Sequence, residues 1–223
     1  MKLLPWIKWV GGKRKMRKRI GSMMPDEIDH YVEPFLGGGA VFLYLLGEGL
    51  LRAAMVADQC FQLVNMWRHV QSGPAQALEL AKSIENTAPA FYAARARYNA
   101  LRRTPGVELA GLFLYLNAAA YGGVHRVKAR PGGKPEIPVG GYNVPWGKRP
   151  RLAFNEDALW AAHEALNSVP VRIVCAGFET TMGVAPSPAV RARSPRRVRW
   201  LQRRVRRGRA HGPDGCLARG ARA

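Results

Sequence analysis

Cysteine is scarce in this 223-residue sequence. The three present, Cys60, Cys175 and Cys216, lie far apart with no paired spacing. That excludes a disulfide framework and a cysteine-based metal site, and all three read as free thiols. Long apolar runs are also missing. No stretch approaches the roughly 18 consecutive apolar residues of a membrane span. The start, Met1-Lys2-Leu3-Leu4-Pro5-Trp6, is too short for a secretory signal before Lys8 and the basic cluster after Lys13 interrupt it. A cytoplasmic protein with neither membrane nor metal partner is the default expectation. Acids are the third shortage: 15 Asp and Glu stand against 35 Lys and Arg, for a formal charge of +20. A polyanion is the natural partner of such a surface. Charge alone fits nucleic acid, ribosome or membrane surface equally well.

The excess is uneven. Pro186 to Ala223 holds 12 Arg, no Lys and one Asp. Ten of those Arg fall between Arg191 and Arg209 with no apolar periodicity, no strand pattern and no capped helix, so residues 186–223 are expected to be a disordered Arg-rich tail. The rest of the chain is 23 Lys and Arg against 14 acids and is well patterned. Tyr31-Val32-Glu33-Pro34-Phe35 reads as a short strand. Gly37 to Gly39 interrupt it, Ala40 to Leu46 reads as a buried helix, and Ala53 to Ala57 reads as a second strand ended by Asp58. Strand, glycine turn, helix, strand and acid form the front of an α/β nucleotide-binding unit. Phe61 to Asn117 is mostly helical in pattern, divided at Pro74, Pro89 and Thr104-Pro105-Gly106. Val107 to Ala120 is apolar almost all round and predicts a buried helix. Tyr121 to Gly147 reads as a long irregular hairpin, Glu156 to Leu166 as a helix and Val171 to Cys175 as a third strand. The strands are apolar enough to be covered on both faces, as in a parallel sheet.

Three features carry chemistry. In Lys8-Trp9-Val10-Gly11-Gly12-Lys13 an aromatic ring, two glycines and a lysine suit the border of a small-ligand pocket, although a surface turn in a basic terminus has the same composition. In Glu33-Pro34-Phe35-Leu36-Gly37-Gly38-Gly39-Ala40-Val41-Phe42 the missing side chains at Gly37 and Gly39 let the backbone approach a ligand. The helix start behind them offers free N–H groups. Position 42 is Phe rather than the last glycine of a phosphate cradle, which favours a cofactor without a pyrophosphate; a plain glycine-rich turn is the alternative. Asp58, at the end of the next strand, is placed to accept hydrogen bonds from both ribose hydroxyls, or is simply a solvated acid.

Taken in order, these motifs resemble the Dam-type (D12 class) adenine-specific DNA methyltransferases. So do Phe91-Tyr92, Arg95, Tyr98-Asn99, Leu112-Phe113-Leu114-Tyr115-Leu116-Asn117 and Tyr142-Asn143-Val144-Pro145-Trp146-Gly147. The resemblance runs from about Leu4 to Met182. It implies an α/β fold, a Rossmann-like S-adenosylmethionine-dependent methyltransferase sheet with a mostly helical inserted DNA-recognition domain. The implied division is 1–61 for the front of the catalytic domain, 62–150 for the insertion and 151–185 for the return to the catalytic domain. It also implies S-adenosylmethionine as cofactor, double-stranded DNA as partner, transfer of methyl to the adenine 6-amino group, and a monomer. Trp9, Lys13, Glu33, Phe35, Gly37, Gly39, Asp58 and Phe178 are then the cofactor-site residues. Arg126 is the base-reading arginine, which can grip a guanine bidentately. Asn143, Lys128, Lys148 and Arg149 complete the DNA surface, the cations as phosphate contacts. Lys134 belongs to the same group, or is solvated like any surface lysine. The sequence departs from the family at three places: Ala118 replaces an Arg, Gly122-Gly123 an Asn-Gly turn, and Gly177 an Asp that binds the cofactor adenine.

An adenine amino nitrogen is a poor nucleophile because its lone pair is delocalised into the ring. The family answers with Asp-Pro-Pro-Tyr, which accepts the amino hydrogens and stacks on the flipped base. No such tetrapeptide, nor its Asn variant, occurs in these 223 residues, so no catalytic residue is assigned and the catalytic sheet is expected to be unfinished. The composition after about Ala185 is what a GC-rich gene gives when read out of frame; a natural Arg-rich tail or a split gene are the other origins. A non-catalytic DNA-binding remnant and a general basic nucleic-acid-binding protein are the rival functions. The 223-residue chain is expected to transfer no methyl to adenine. Tritiated methyl incorporation into unmethylated duplex above a no-enzyme control would show that the reacting base is held by residues other than that tetrapeptide.

Overall fold

The turn residues divide the chain into short apolar runs, and each run takes the element its period requires. The computed structural model describes residues 3–101, 103–127 and 141–183. Cys216 and the Arg-rich segment lie outside them, as do Lys128 and Lys134. In chain order the elements are α1 (Arg17–Gly21), β1 (Tyr31–Glu33), α2 (Ala40–Gly47), β2 (Ala54–Asp58), α3 (Phe61–Ser72), α4 (Ala75–Ser83), α5 (Ala88–Leu101), α6 (Val107–Ala119), α7 (Glu156–Leu166), β3 (Val171–Cys175) and α8 (Phe178–Gly183). The strands form one parallel sheet in the order β1-β2-β3, with Tyr31 opposite Ala54 and Asp58 opposite Cys175. Parallel neighbours cannot be joined by a tight turn and need a crossover. The first is α2; the second is the whole stretch from α3 to α7.

Two helices were legible from composition because nearly every side of them is covered. In α2, Phe42, Leu43 and Leu45 have no exposed surface, and in α6 every residue from Leu109 to Ala119 is buried. Pro89, read as a divider, is instead the second residue of α5. The first turn of a helix tolerates proline because its N–H would have no intrahelical partner anyway. The five-residue α1 is too short to show a period and was not expected.

Burial of the strands is less even than the sequence suggested. Ala54, Val56 and Ala57 of β2 are buried, but β3 buries only Ile173 and leaves Arg172 and Cys175 exposed. The reason lies in its position at the sheet edge and in what covers that edge. Pro170 O accepts from Ala54 N on β2, so in a strand the alternate carbonyls of Val171 and Ile173 face outward. Both are taken by polar side chains of α3. Arg68 donates twice to Ile173 O, at 3.1 and 3.0 Å, and Gln71 donates to Val171 O at 2.9 Å. Side chains rather than another strand occupy these two sites, which blunts the edge.

The hairpin is present as an irregular ribbon. Ala120 pairs antiparallel with Trp146 and Val127 with Tyr142. Residues 128–140, between these arms, lie outside the described residues. Helices α4 and α6 touch closely where α6 carries Gly111. A Cβ there would sit 2.6 Å from Leu80 Cδ2 and 2.9 Å from Ala77 O. In an exposed helix Gly→Ala stabilises by roughly 1 kcal/mol. Here the sign should reverse, with Gly111→Ala costing about 1–3 kcal/mol through overpacking. Thermal unfolding of the variant tests this; a midpoint above the parent's would show that the α4–α6 contact yields without strain.

Candidate functional site

All the strand ends that carry polar residues lie on one edge of the sheet. Parallel strands place their carboxyl ends together, so Glu33 ends β1 with Phe35 just beyond it, Asp58 ends β2, and Gly177 and Phe178 follow β3. The crevice outside such an edge is the usual ligand position in an α/β sheet. Asp58 occupies the middle strand and works on the backbone. Its Oδ2 accepts from Gly37 N and its Oδ1 from Cys60 N, each at 2.9 Å. Each oxygen thus spends one acceptor site on the protein and retains another. Gly37 has φ +48° and Gly39 φ +65°, conformations that favour glycine.

The space above those two glycines is filled by the protein's own tryptophans. A Cβ at Gly37 would lie 2.8 Å from Trp9 Cδ1, and one at Gly39 would lie 2.5 Å from ring atoms of Trp67. Trp67 is fully buried on α3 and donates from Nε1 to Gly37 O at 3.0 Å. Sequence reasoning assigned Trp67 no role, because a tryptophan inside a helix resembles any core residue. Its indole N–H, which needs a partner when buried, is what ties it to the turn. The small residues therefore serve close packing by Trp9 and Trp67, and with Asp58 these rings set the shape of the turn.

Glu33 sits beside this turn with Tyr31. Tyr31 Oη donates to Glu33 Oε2 at 2.9 Å. Burial is the main influence on the carboxyl and raises its pKa to about 7, against the opposing hydrogen bonds from the Tyr31 hydroxyl and the Phe42 N–H, while Asp58 adds to the rise. Such a group exchanges its proton readily near neutrality and favours a cation arriving beside it. Phe35 and Phe178 are both exposed, at 71% and 47%, and stack with ring centroids 5.8 Å apart. Two exposed aromatic faces at one sheet edge suit a planar ligand. Cys60, next to Asp58, is held protonated by burial, which pushes its thiol up to about 12.

Trp9 joins this edge to the hairpin. Its ring stacks on His125, with centroids 5.5 Å apart and planes 18° apart. His125 is flanked by Phe113 and Tyr142 and shares a hydrogen bond of 2.9 Å between its Nε2 and the Tyr98 hydroxyl. Burial depresses its pKa to about 4, so the ring is neutral. Burial also holds Tyr98 well above the ordinary tyrosine range. Tyr98 therefore keeps its proton, and both partners of this hydrogen bond are uncharged. Asn117 fixes the preceding residue. Lys8 N donates to its Oδ1 at 3.0 Å, and its Nδ2 donates to Lys8 O at 2.9 Å and Gly123 O at 3.0 Å. Gly123 has no room for a side chain, since a Cβ would meet the backbone Asn117 O at 2.9 Å as well as the Lys8 side chain. The Gly122-Gly123 departure thus lets the turn close onto Lys8. Lys13 is exposed and donates to Gly11 O at 2.8 Å, within its own loop.

On the hairpin, Arg126 is exposed and its Nε donates to Asn143 Oδ1 at 3.2 Å, while Asn143 N donates to Arg126 O at 3.3 Å. The candidate base-reading arginine is therefore oriented by another candidate DNA residue. Lys148 is exposed with φ 52°. Arg149 is half-buried; its carbonyl accepts from Asn86 Nδ2 at 2.6 Å, and its charge, after burial, lowers the pKa of Lys8. Lys128 lies outside the described residues. Among the described residues, no helix is long and apolar enough to cross a membrane, and no group of three His, Cys, Asp or Glu could hold a metal ion.

Residues 9–190 match the D12 class N6 adenine-specific DNA methyltransferase family. Among curated proteins, the chain is 29% identical over 183 residues to the type II methyltransferase M1.LlaDCHI of Lactococcus lactis subsp. cremoris, covering 79% of this chain and 60% of the relative. It is 31% identical to a DNA adenine methylase of Haemophilus influenzae, covering 85% and 62%. It is 29% identical to the type II methyltransferase M.MjaIII of Methanocaldococcus jannaschii, covering 80% and 64%. The chain spans about three-fifths of the length of these relatives.

The raised carboxyl at Glu33 has a measurable consequence. Its folded-state pKa of about 7 lies above the ordinary 4.5. Its contribution to stability is therefore complete below about pH 4.5 and is lost as pH rises through 7. Glu33→Gln should raise the thermal midpoint relative to the parent at pH 8 and leave it nearly unchanged at pH 4. The difference at pH 8 should be on the order of 2–3 kcal/mol. Identical midpoints at both pH values would mean that water already solvates the carboxyl.

Proposed function

The chain belongs to the D12 class N6 adenine-specific DNA methyltransferase family, and from that membership we propose that its carboxyl edge binds S-adenosylmethionine for methylation of the 6-amino group of adenine in duplex DNA. The observation that carries the reading is Asp58, whose two oxygens each accept one backbone N–H at 2.9 Å and keep capacity for a pair of ribose hydroxyls. The residues present fit the cofactor's other parts. Glu33 meets a cationic group and gives up its proton to do so. Phe35 and Phe178 present aromatic faces to an adenine ring, and Trp9 walls the glycine turn. Lys13 borders the site from its loop. The sulfonium of the bound cofactor supplies an activated methyl group; the protein's task is to hold it in line with the amino nitrogen and keep water out.

The DNA side of the reading rests on Arg126, oriented by Asn143 for bidentate contact with a guanine edge. Lys148, Arg149 and Lys128 serve the phosphates. In this reading residues 62–150 contribute the DNA-recognition surface, and residues 1–61 and 151–185 the cofactor surface.

Calorimetric titration with S-adenosylmethionine tests the cofactor reading. Asp58→Ala removes charged hydrogen bonds of about 1.5–3 kcal/mol each, so binding should weaken at least about tenfold. Gly177→Asp restores the family's adenine-binding acid. A Cβ there meets only the far end of Gln59, at 3.0 Å, so the variant should fold and bind more tightly. Absence of binding by the parent at millimolar cofactor, or an Asp58→Ala variant of parental affinity, would remove the cofactor from this site.

A further inference from the structure

The most concentrated charge in the described part of the chain starts at Lys13, and its residues beyond Lys13 have no role in the site above. Residues 1–25 contain eight Lys and Arg and no acid. Six of the eight lie between Lys13 and Arg19. Lys13, Arg14, Lys15, Lys18 and Arg19 are exposed. None of the ion pairs found among the described residues includes any of them. Arg17 differs from its neighbours. It is half-buried, donates from Nη1 to Arg14 O, and has a buried Nε. It thus folds the segment on itself while its neighbours point outward. Backbone bonds continue the same compaction, from Gly12 N to Trp9 O, Met16 N to Lys13 O and Ile20 N to Met16 O. The segment is then anchored by Gly21 of α1, which lies against the Tyr44 ring.

Position argues for a partner. The segment leaves directly from Trp9, whose ring stacks on His125 beside Arg126. A chain advances at most about 3.6 Å per residue, so the first cations lie within roughly 20 Å of Trp9. Duplex DNA carries one phosphate per roughly 1.7 Å of its axis. A duplex read by Arg126 therefore offers many phosphates within reach of this segment.

We infer that Arg14, Lys15, Lys18 and Arg19 form a second DNA surface that grips backbone phosphates flanking the recognised bases. The inference rests on reading the chain as a duplex-DNA binder. It adds a contact made by charge alone, without base discrimination, which lengthens the footprint beyond the hairpin. Lys and Arg are interchangeable in such a role to the extent that each is a point charge near a phosphate.

The test is the salt dependence of duplex binding by the full 223-residue chain, against a variant with Arg14→Gln, Lys15→Gln, Lys18→Gln and Arg19→Gln together. Each lost phosphate contact lowers the magnitude of the slope of log affinity against log salt by about 0.9. The variant should be shallower by about two to three and a half units, with its ratio of cognate to non-cognate affinity unchanged. A charge-preserving variant, Arg14→Lys, Lys15→Arg, Lys18→Arg and Arg19→Lys, should keep the parental slope. An unchanged slope in the Gln variant, with the parent binding DNA, overturns this inference and leaves the proposed function standing. So does a change confined to cognate discrimination, or loss of binding to phosphatidylserine vesicles with the DNA slope intact. Failure of the parent to bind duplex at low salt overturns both.

Discussion

The Asp58 carboxylate is the constraint on which the site depends. It ends the central strand opposite Cys175 of β3, and it spends one lone pair on each of two loops. One loop is the glycine turn after β1 and the other is the start of α3. Without it, Gly37 N and Cys60 N would need other partners in a part-buried place, which costs free energy. Because α3 also brings Trp67 to Gly37 O, the acid and the indole hold the two peptide groups that flank the Gly37 Cα. The turn keeps its left-handed glycines because both partners require that shape.

A second set of contacts does for the hairpin what Asp58 does for the glycine turn. Asn117, buried at the end of α6, bonds three backbone groups with its one amide. Through Lys8 it sets Trp9, and through Gly123 it sets the entry to the hairpin. The neutral His125 fills the space between Trp9 and Tyr142. With Asn117 bonded at both ends of its amide, this polar cluster favours one arrangement of the two segments. The loop around Trp9 and the hairpin ribbon are therefore neighbours by construction, although they are far apart in the chain.

Much of this was legible in the sequence. The runs Tyr31 to Phe35, Ala53 to Ala57 and Val171 to Cys175 announced strands, which form at Tyr31–Glu33, Ala54–Asp58 and Val171–Cys175, because short apolar segments flanked by Gly, Pro and Asp have few alternatives. The strand-turn-helix-strand order brought Glu33, Gly37, Gly39 and Asp58 together before any coordinates. Other features were hidden. Trp67 and Asn117 act through hydrogen bonds to residues 30 and 109 positions away, and no local pattern encodes a distant partner. The exposed face of β3 was misread because its composition is apolar. What decides its burial is its place at the edge and the reach of Arg68 and Gln71, neither of which periodicity reports.

That edge has a consequence for the order in which the molecule assembles. Gly37 and Asp58 are 21 residues apart, whereas Arg68 and Ile173 are 105 residues apart. Closing a longer loop costs more chain entropy and delays contact formation. The half of the crevice built from β1 and β2 can therefore form early, while the chain beyond it is still being synthesised. The third strand, and with it Phe178, is expected to dock after α3 has formed, since Arg68 and Gln71 supply the donors for its outward carbonyls. The aromatic wall is thus the last part of the crevice to close, and α3 is the template on which it closes.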